Sequence, residues 1–197
     1  MRRIFYFLFV LIQIVFLLGM MGFHQNEIQK GYPLKLTVFP RDPDSLLRGE
    51  YAHLRYEIES IDLNVVSHDM ENYERNMVVY VTLGKDTQTF SDSLIPLKVS
   101  QKVPPASEYP FIKGNVLDQY KYETGFDDDT TEKITNDLQV EYSINQYFVQ
   151  EGRSQEIESI MGTGSRMTTH KVLADVRLSD KGIPYLTGVF IDGKLFK

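Results

Sequence analysis

Residues 4–21 form an almost unbroken apolar run, interrupted by Gln13 and Gly19, and this run limits the fold more than any other feature. At a helical rise of about 1.5 Å per residue it reaches roughly 27 Å, close to the hydrocarbon thickness of a bilayer. A core helix would show a polar stripe at 3.6-residue spacing, and this run shows none. Residues 1–24 therefore read as a membrane anchor and residues 25–197 as one outer domain. Arg2 and Arg3 precede the run, and the residues just after it are near neutral. By the positive-inside rule the N-terminus stays cytoplasmic and the outer domain is extracytoplasmic, so the chain is single-pass. A cleavable signal peptide has the same charged start but a shorter apolar core and small residues at its exit. Here residues 18–24 read Leu-Gly-Met-Met-Gly-Phe-His, which favours an uncleaved anchor. No cysteine exists to make a lipoprotein. Gln13 lies near mid-membrane, where its amide is either relieved by a partner helix or tolerated in a long apolar one.

Setting aside Arg2 and Arg3, 19 basic residues face 27 acidic ones. That balance argues against a nucleic-acid face and against electrostatic adhesion to anionic head groups. Without cysteine, neither disulfides nor thiolate chemistry can contribute, so the outer domain depends on its own core. About 170 residues suffice for one. Twelve Tyr and twelve Phe with no Trp suit half-buried pleated surfaces. Leu34, Leu36 and Val38 alternate with Lys35 and Thr37 as a strand does. Pro40 and Pro43 stop that ladder for want of an N–H, and Asp42 and Asp44 beside them favour turns. From Tyr51 the alternation resumes, with Ala52, Leu54, Tyr56 and Ile58 on one face and Tyr51, His53, Arg55 and Glu57 on the other.

Further strands are expected over residues 77–83, 111–116 (interrupted at Gly114), 138–144, 172–178 and 183–192. The last two are joined by Ser179-Asp180-Lys181-Gly182 as a hairpin turn. Ser154 can cap a short helix bearing Ile157, Ile160 and Met161. The polar stretch between Tyr120 and Asn136 reads as an exposed loop. The fold class is mainly β: a transmembrane helix followed by a compact β-barrel or β-sandwich-like domain with a short helix.

Residues 49–56 read Gly-Glu-Tyr-Ala-His-Leu-Arg-Tyr. This resembles the G-D-Y-x-x-L-x-Y signature of the bacterial family that takes its name from it. Other matching segments are Pro40, Asp42 and Pro43 followed by Leu47-Arg48-Gly49, then Tyr147-Phe148-Val149 with Glu151 and Gly152, and finally Gly188-Val189-Phe190-Ile191-Asp192-Gly193. Two positions depart from the pattern: Glu50 replaces the family's Asp, and Gln150 its usual Pro. The resemblance implies a membrane-associated protein with no assigned biochemistry. It also implies a multi-spanning membrane protein as partner, since relatives are often encoded beside such proteins. The motif positions that could bind are Asp42, Arg48, Gly49, Glu50, Tyr51, Leu54, Tyr56, Tyr147, Phe148, Glu151, Gly152 and Asp192.

Arg48, Glu50 and Glu151 could form a carboxylate-guanidinium site. With no activated nucleophile beside them, a hydrogen-bonded clasp that fixes a turn is the better reading. His53 and Glu57 share a strand face but lie four residues, roughly 13 Å, apart, too far to ligate one metal ion at about 2 Å. His24, His68 and His170 are scattered, and Asp127-Asp128-Asp129-Thr130-Thr131-Glu132 lacks the spacing and Gly of an EF-hand. Neither metal nor cofactor is expected. A fainter likeness links Arg48-Gly49-Glu50-Tyr51, Phe111-Ile112-Lys113-Gly114 and 145–149 to type I signal peptidases, which place a β domain behind an anchor. Their mechanism needs a serine just beyond the membrane and a desolvated lysine base, yet the first serine past Gly22 is Ser45. The expected function is thus a membrane-anchored, non-catalytic binding or accessory module, held by lipid through its helix. The alternatives are an envelope hydrolase on a divergent signal-peptidase-like scaffold and a small-ligand sensor.

Overall fold

The computed structural model describes residues 2–39, 51–85, 94–105, 110–124, 133–148 and 171–196. The apolar run is part of one helix, α1 (Arg2–Lys30). Apolar side chains from Ile4 to Phe23 are exposed on every side of it, and it is long and apolar enough to cross a membrane. It continues past the apolar stretch to Lys30, and Gly31 alone separates it from β1 (Tyr32–Phe39). A Cβ at Gly31 would come within 3.0 Å of the Leu178 carbonyl oxygen and 3.1 Å of the Arg177 Cβ, so the helix meets the β domain at a close, side-chain-free step.

The remaining elements are β2 (Tyr51–His53), β3 (Arg55–Tyr56), β4 (Ser60–Asp62), β5 (Ser67–His68), β6 (Val78–Lys85), β7 (Leu94–Ser100), β8 (Phe111–Thr124), β9 (Lys133–Glu141), β10 (Gln146–Phe148), β11 (Val172–Leu178), β12 (Pro184–Ile191) and β13 (Lys194–Phe196). They form a five-stranded sheet in the order β13-β12-β11-β1-β3, a six-stranded sheet in the order β4-β9-β8-β6-β7-β5, and the pair β10-β2. One continuous core lies between the large sheets. Leu34, Leu36 and Val38 of β1 and Val172, Ala174, Val176 and Leu178 of β11 share it with Val79, Val81, Leu83, Val116, Leu138 and Val140. The Lys113 N–H, donating to the Gly182 carbonyl at 2.8 Å, ties the two sheets across one end. The chain is therefore mainly β behind an apolar helix, as its alternation indicated.

Several expectations need correction. Residues 51–58 are not one strand. β2 pairs with β10, β3 pairs with β1, and residues Glu57–Glu59 close a 3-10 turn. The chain changes partner at Leu54, whose N–H donates to the Asn145 carbonyl at 2.8 Å. The face assignment survives the break: Leu54, Tyr56 and Ile58 are buried, Arg55 and Glu57 exposed.

Tyr120 to Thr124 and Lys133 to Asn136, expected in a loop, are paired strand residues extending β8 and β9. Tyr120 and Tyr122 do alternate with Lys121 and Glu123 there, but both faces of a two-stranded extension meet solvent and the two rings are half-exposed, so the pattern is weak. Gly114 does not interrupt β8, whose register shifts instead between Val116 and Asp118. β7 went unpredicted because Pro96 and Lys98 break its apolar pattern; it tolerates the proline near the sheet margin. The helix expected after Ser154 lies outside the described residues.

Candidate functional site: the junction of the motif strands

The signature strand and the Tyr-Phe-Val segment are far apart in sequence yet adjacent in the fold. Their residues pair antiparallel, His53 with Gln146, Ala52 with Tyr147 and Tyr51 with Phe148. Two buried tyrosines then lock the junction crosswise. The Tyr56 hydroxyl donates to the Ile144 carbonyl at 2.7 Å, and the Tyr142 hydroxyl donates to the Ile58 carbonyl at 2.9 Å. Each tyrosine thus holds the backbone two residues beyond the other. A buried carbonyl left unbonded would be costly, so both hydroxyls satisfy acceptors at the point where regular pairing fails. Burial, with a smaller contribution from the Glu59 carboxylate, pushes both hydroxyls far above the ordinary tyrosine value. Gly114 makes room for this arrangement. A Cβ there would collide with Val140 and lie 2.9 Å from the Tyr142 ring.

A third tyrosine ties the junction to the opposite edge of the five-stranded sheet. The Tyr147 hydroxyl donates to the Phe196 carbonyl of β13 at 3.0 Å. Asp192 stands at the turn into β13, where Asp192 and Gly193 have φ of 49° and 81°. This is the two-residue hairpin that Asp-Gly favours, and the Asp192-Gly193 pair is its signal in the sequence. The Asp192 carboxylate also accepts from the Lys171 N–H at 2.9 Å, closing the start of β11.

Beside the junction is a cleft of about 200 Å3 lined by Leu54, Arg55, Glu59, Leu117, Gln139, Glu141 and Asn145. Its polar groups engage one another. The Asn145 amide donates to Glu141 at 2.6 Å, Gln139 donates to the Ser60 hydroxyl at 2.8 Å, and Arg55 pairs with Glu59 at 3.9 Å. A small polar ligand entering the cleft would meet groups already engaged with one another or with Ser60. Among the described residues the lining holds no serine, lysine or histidine, and its titratable groups besides Arg55 are the Glu59 and Glu141 carboxylates. Among the described residues no group of three or more His, Asp or Glu side chains could hold a metal ion.

Of the motif positions, the structure places Leu54, Tyr56, Tyr147 and Asp192 in these roles, and it sets Tyr51 and Phe148 in register as backbone neighbours. Asp42, Arg48, Gly49, Glu50, Glu151 and Gly152 lie outside the described residues, and with them the expected Arg48 clasp. Lys113, the residue matched to a peptidase base, lies in β8 opposite Tyr80 and does not line the cleft. Sequence reading missed Tyr142, Asn145 and Glu141 as parts of the junction. Their only signal was the step from alternation to turn residues after Glu141.

A family model described as GDYXXLXY protein matches residues 13–189. Neither a curated protein nor a solved structure matches the chain.

Proposed function

The chain belongs to the GDYXXLXY family, and on that basis we propose that it is a single-pass membrane protein whose β domain stands outside the cytoplasm as a non-catalytic binding or accessory module for a multi-spanning membrane protein. The observation that carries this reading is the state of α1. It is exposed and apolar on all sides, and it enters β1 through Gly31 alone, without a linker. Such a helix leaves its apolar face to lipid or to another helix. Gln13 is exposed on it, and a partner helix would satisfy its amide. The motif side chains described above are meanwhile engaged in holding strands together, which suits a rigid tethered module.

The test is a photocrosslinking residue at Gln13 in native membranes. The expected result is a crosslink to one multi-spanning protein, which is also retained on co-purification of the whole chain. Crosslinks to lipid alone, with no retained membrane protein, would refute the accessory role. A mature N-terminus between residues 20 and 32 would refute the anchor.

A further inference from the structure

We infer that the β11–β12 hairpin, with Arg177, Lys181 and Tyr185, rests in the phospholipid head-group layer beside the point where α1 leaves the bilayer; this rests on the membrane-spanning reading of α1. The apolar stretch of the helix ends at Phe23, and residues 24–30 read His-Gln-Asn-Glu-Ile-Gln-Lys. These seven polar-rich residues rise about 10 Å, slightly more than the head-group layer on one side of a bilayer. A β domain joined end-on at Gly31 would stand clear of that layer.

The hairpin instead reaches back along the helix. The Tyr185 ring lies edge-on against His24 with centroids 5.3 Å apart, and its hydroxyl approaches Glu27 at 3.5 Å. His24 is the first residue past the apolar stretch, so Tyr185 sits at the depth where amphipathic rings collect in membrane proteins. Its strand partner Arg177 points its guanidinium at the Gln29 and Gly31 carbonyls, at 3.5 and 3.4 Å. The turn between them is held by the Ser179 N–H donating to Ile183 and the Gly182 N–H donating to Ser179, and it exposes Asp180 and Lys181.

Charge fits the same occupant. The domain as a whole is acidic, but around the helix exit Lys30, Arg177 and Lys181 stand against Glu27 and Asp180. A mixed collar with a basic excess suits the phosphates of phospholipids and does not require anionic lipid. The same helix face has a shallow open groove at Gly19, between Phe16, Met20, Phe23, His24 and Glu27. An acyl chain can occupy it while its head group meets the hairpin.

The chain has no cysteine, so single substitutions give unique labelling sites in the full-length protein. Phe16→Cys, Lys181→Cys and Lys194→Cys, each spin-labelled in phosphatidylcholine nanodiscs, report three depths. Lys194 follows Ile191, seven residues along β12 from Pro184 and roughly 23 Å away. The expected result is a lipid-buried label at position 16, an aqueous label at 194, and at 181 a several-fold lower accessibility to a water-soluble nickel chelate than at 194. Loss of the Lys181 charge works against that result, so a positive outcome is conservative. A label at 181 as accessible as that at 194, with position 16 still protected, overturns the hairpin contact and leaves the anchor standing. Water access at position 16 overturns the anchor and the contact together.

Discussion

The crossed tyrosines can be tested by removing one oxygen at a time. Tyr56 and Tyr142 are 1% and 0% exposed, so Tyr56→Phe and Tyr142→Phe keep the packed ring and delete only the donor. Each leaves one buried carbonyl, of Ile144 or Ile58 respectively, without its hydroxyl. The loss should be about 1–3 kcal/mol for each substitution. For a domain of this size, 2 kcal/mol corresponds to a fall in Tm of about 4–8 °C. Because both bonds fasten the same junction, the double variant should cost less than the sum, with a coupling of about 0.5 kcal/mol or more. Tyr73→Phe is the matched control. Tyr73 is 6% exposed, and among the described residues its hydroxyl meets only the nearby Met70 and Asp69 N–H groups and holds no carbonyl of another strand, so this substitution should cost less than Tyr56→Phe, under about 1 kcal/mol. Denaturant unfolding of the full chain in detergent, followed by tyrosine fluorescence in the absence of Trp, reads all four variants. Equal losses for Tyr73→Phe and Tyr56→Phe, or strict additivity of Tyr56→Phe with Tyr142→Phe, would refute the reasoning.

The Tyr56 and Tyr142 hydroxyls stay protonated in the fold well above the ordinary value of 10.0. Stability should be complete below about pH 10 and fall as pH rises beyond it, by up to about 1.4 kcal/mol per pH unit for each tyrosine, and the double Phe variant should flatten that slope in alkaline titrations of unfolding. Leu54→Ala, at 3% exposure, should cost about 2–5 kcal/mol, while Arg55→Ala, whose long ion pair with Glu59 is half-exposed on the arginine side, should cost under about 1; similar denaturation midpoints for the two would contradict the face assignment. Gly114→Ala must push Val140 and the Tyr142 ring aside and should cost about 1–3 kcal/mol, with a loss that shrinks when Tyr142→Phe is already present. A neutral Gly114→Ala in the same unfolding assay would show that the ring is not held against β8.

Local chemistry determined a great deal. The apolar run of residues 4–21 was enough to place one helix long and apolar enough to cross a membrane. Alternation placed β1 with its buried face, because a sheet with one wet face forces period two on the side chains, and the bounds of β11 were legible as well. Leu54 and Tyr56 were assigned inward for the same reason, and the turn at residues 179–182 followed from its glycine. The rest depended on contacts between residues far apart in sequence. Nothing near Leu54 indicates that the chain exchanges β10 for β1 there, since the exchange is set by where those strands lie in the assembled sheets. The ends of β8 and β9 carry little periodic signal beyond Tyr120 and Tyr122, because each is stabilised by the other's backbone. Tyr56 and Tyr142 could each be read as core aromatics. Only the tertiary fold, by bringing Ile144 to one hydroxyl and Ile58 to the other, made them the paired lock of the motif junction.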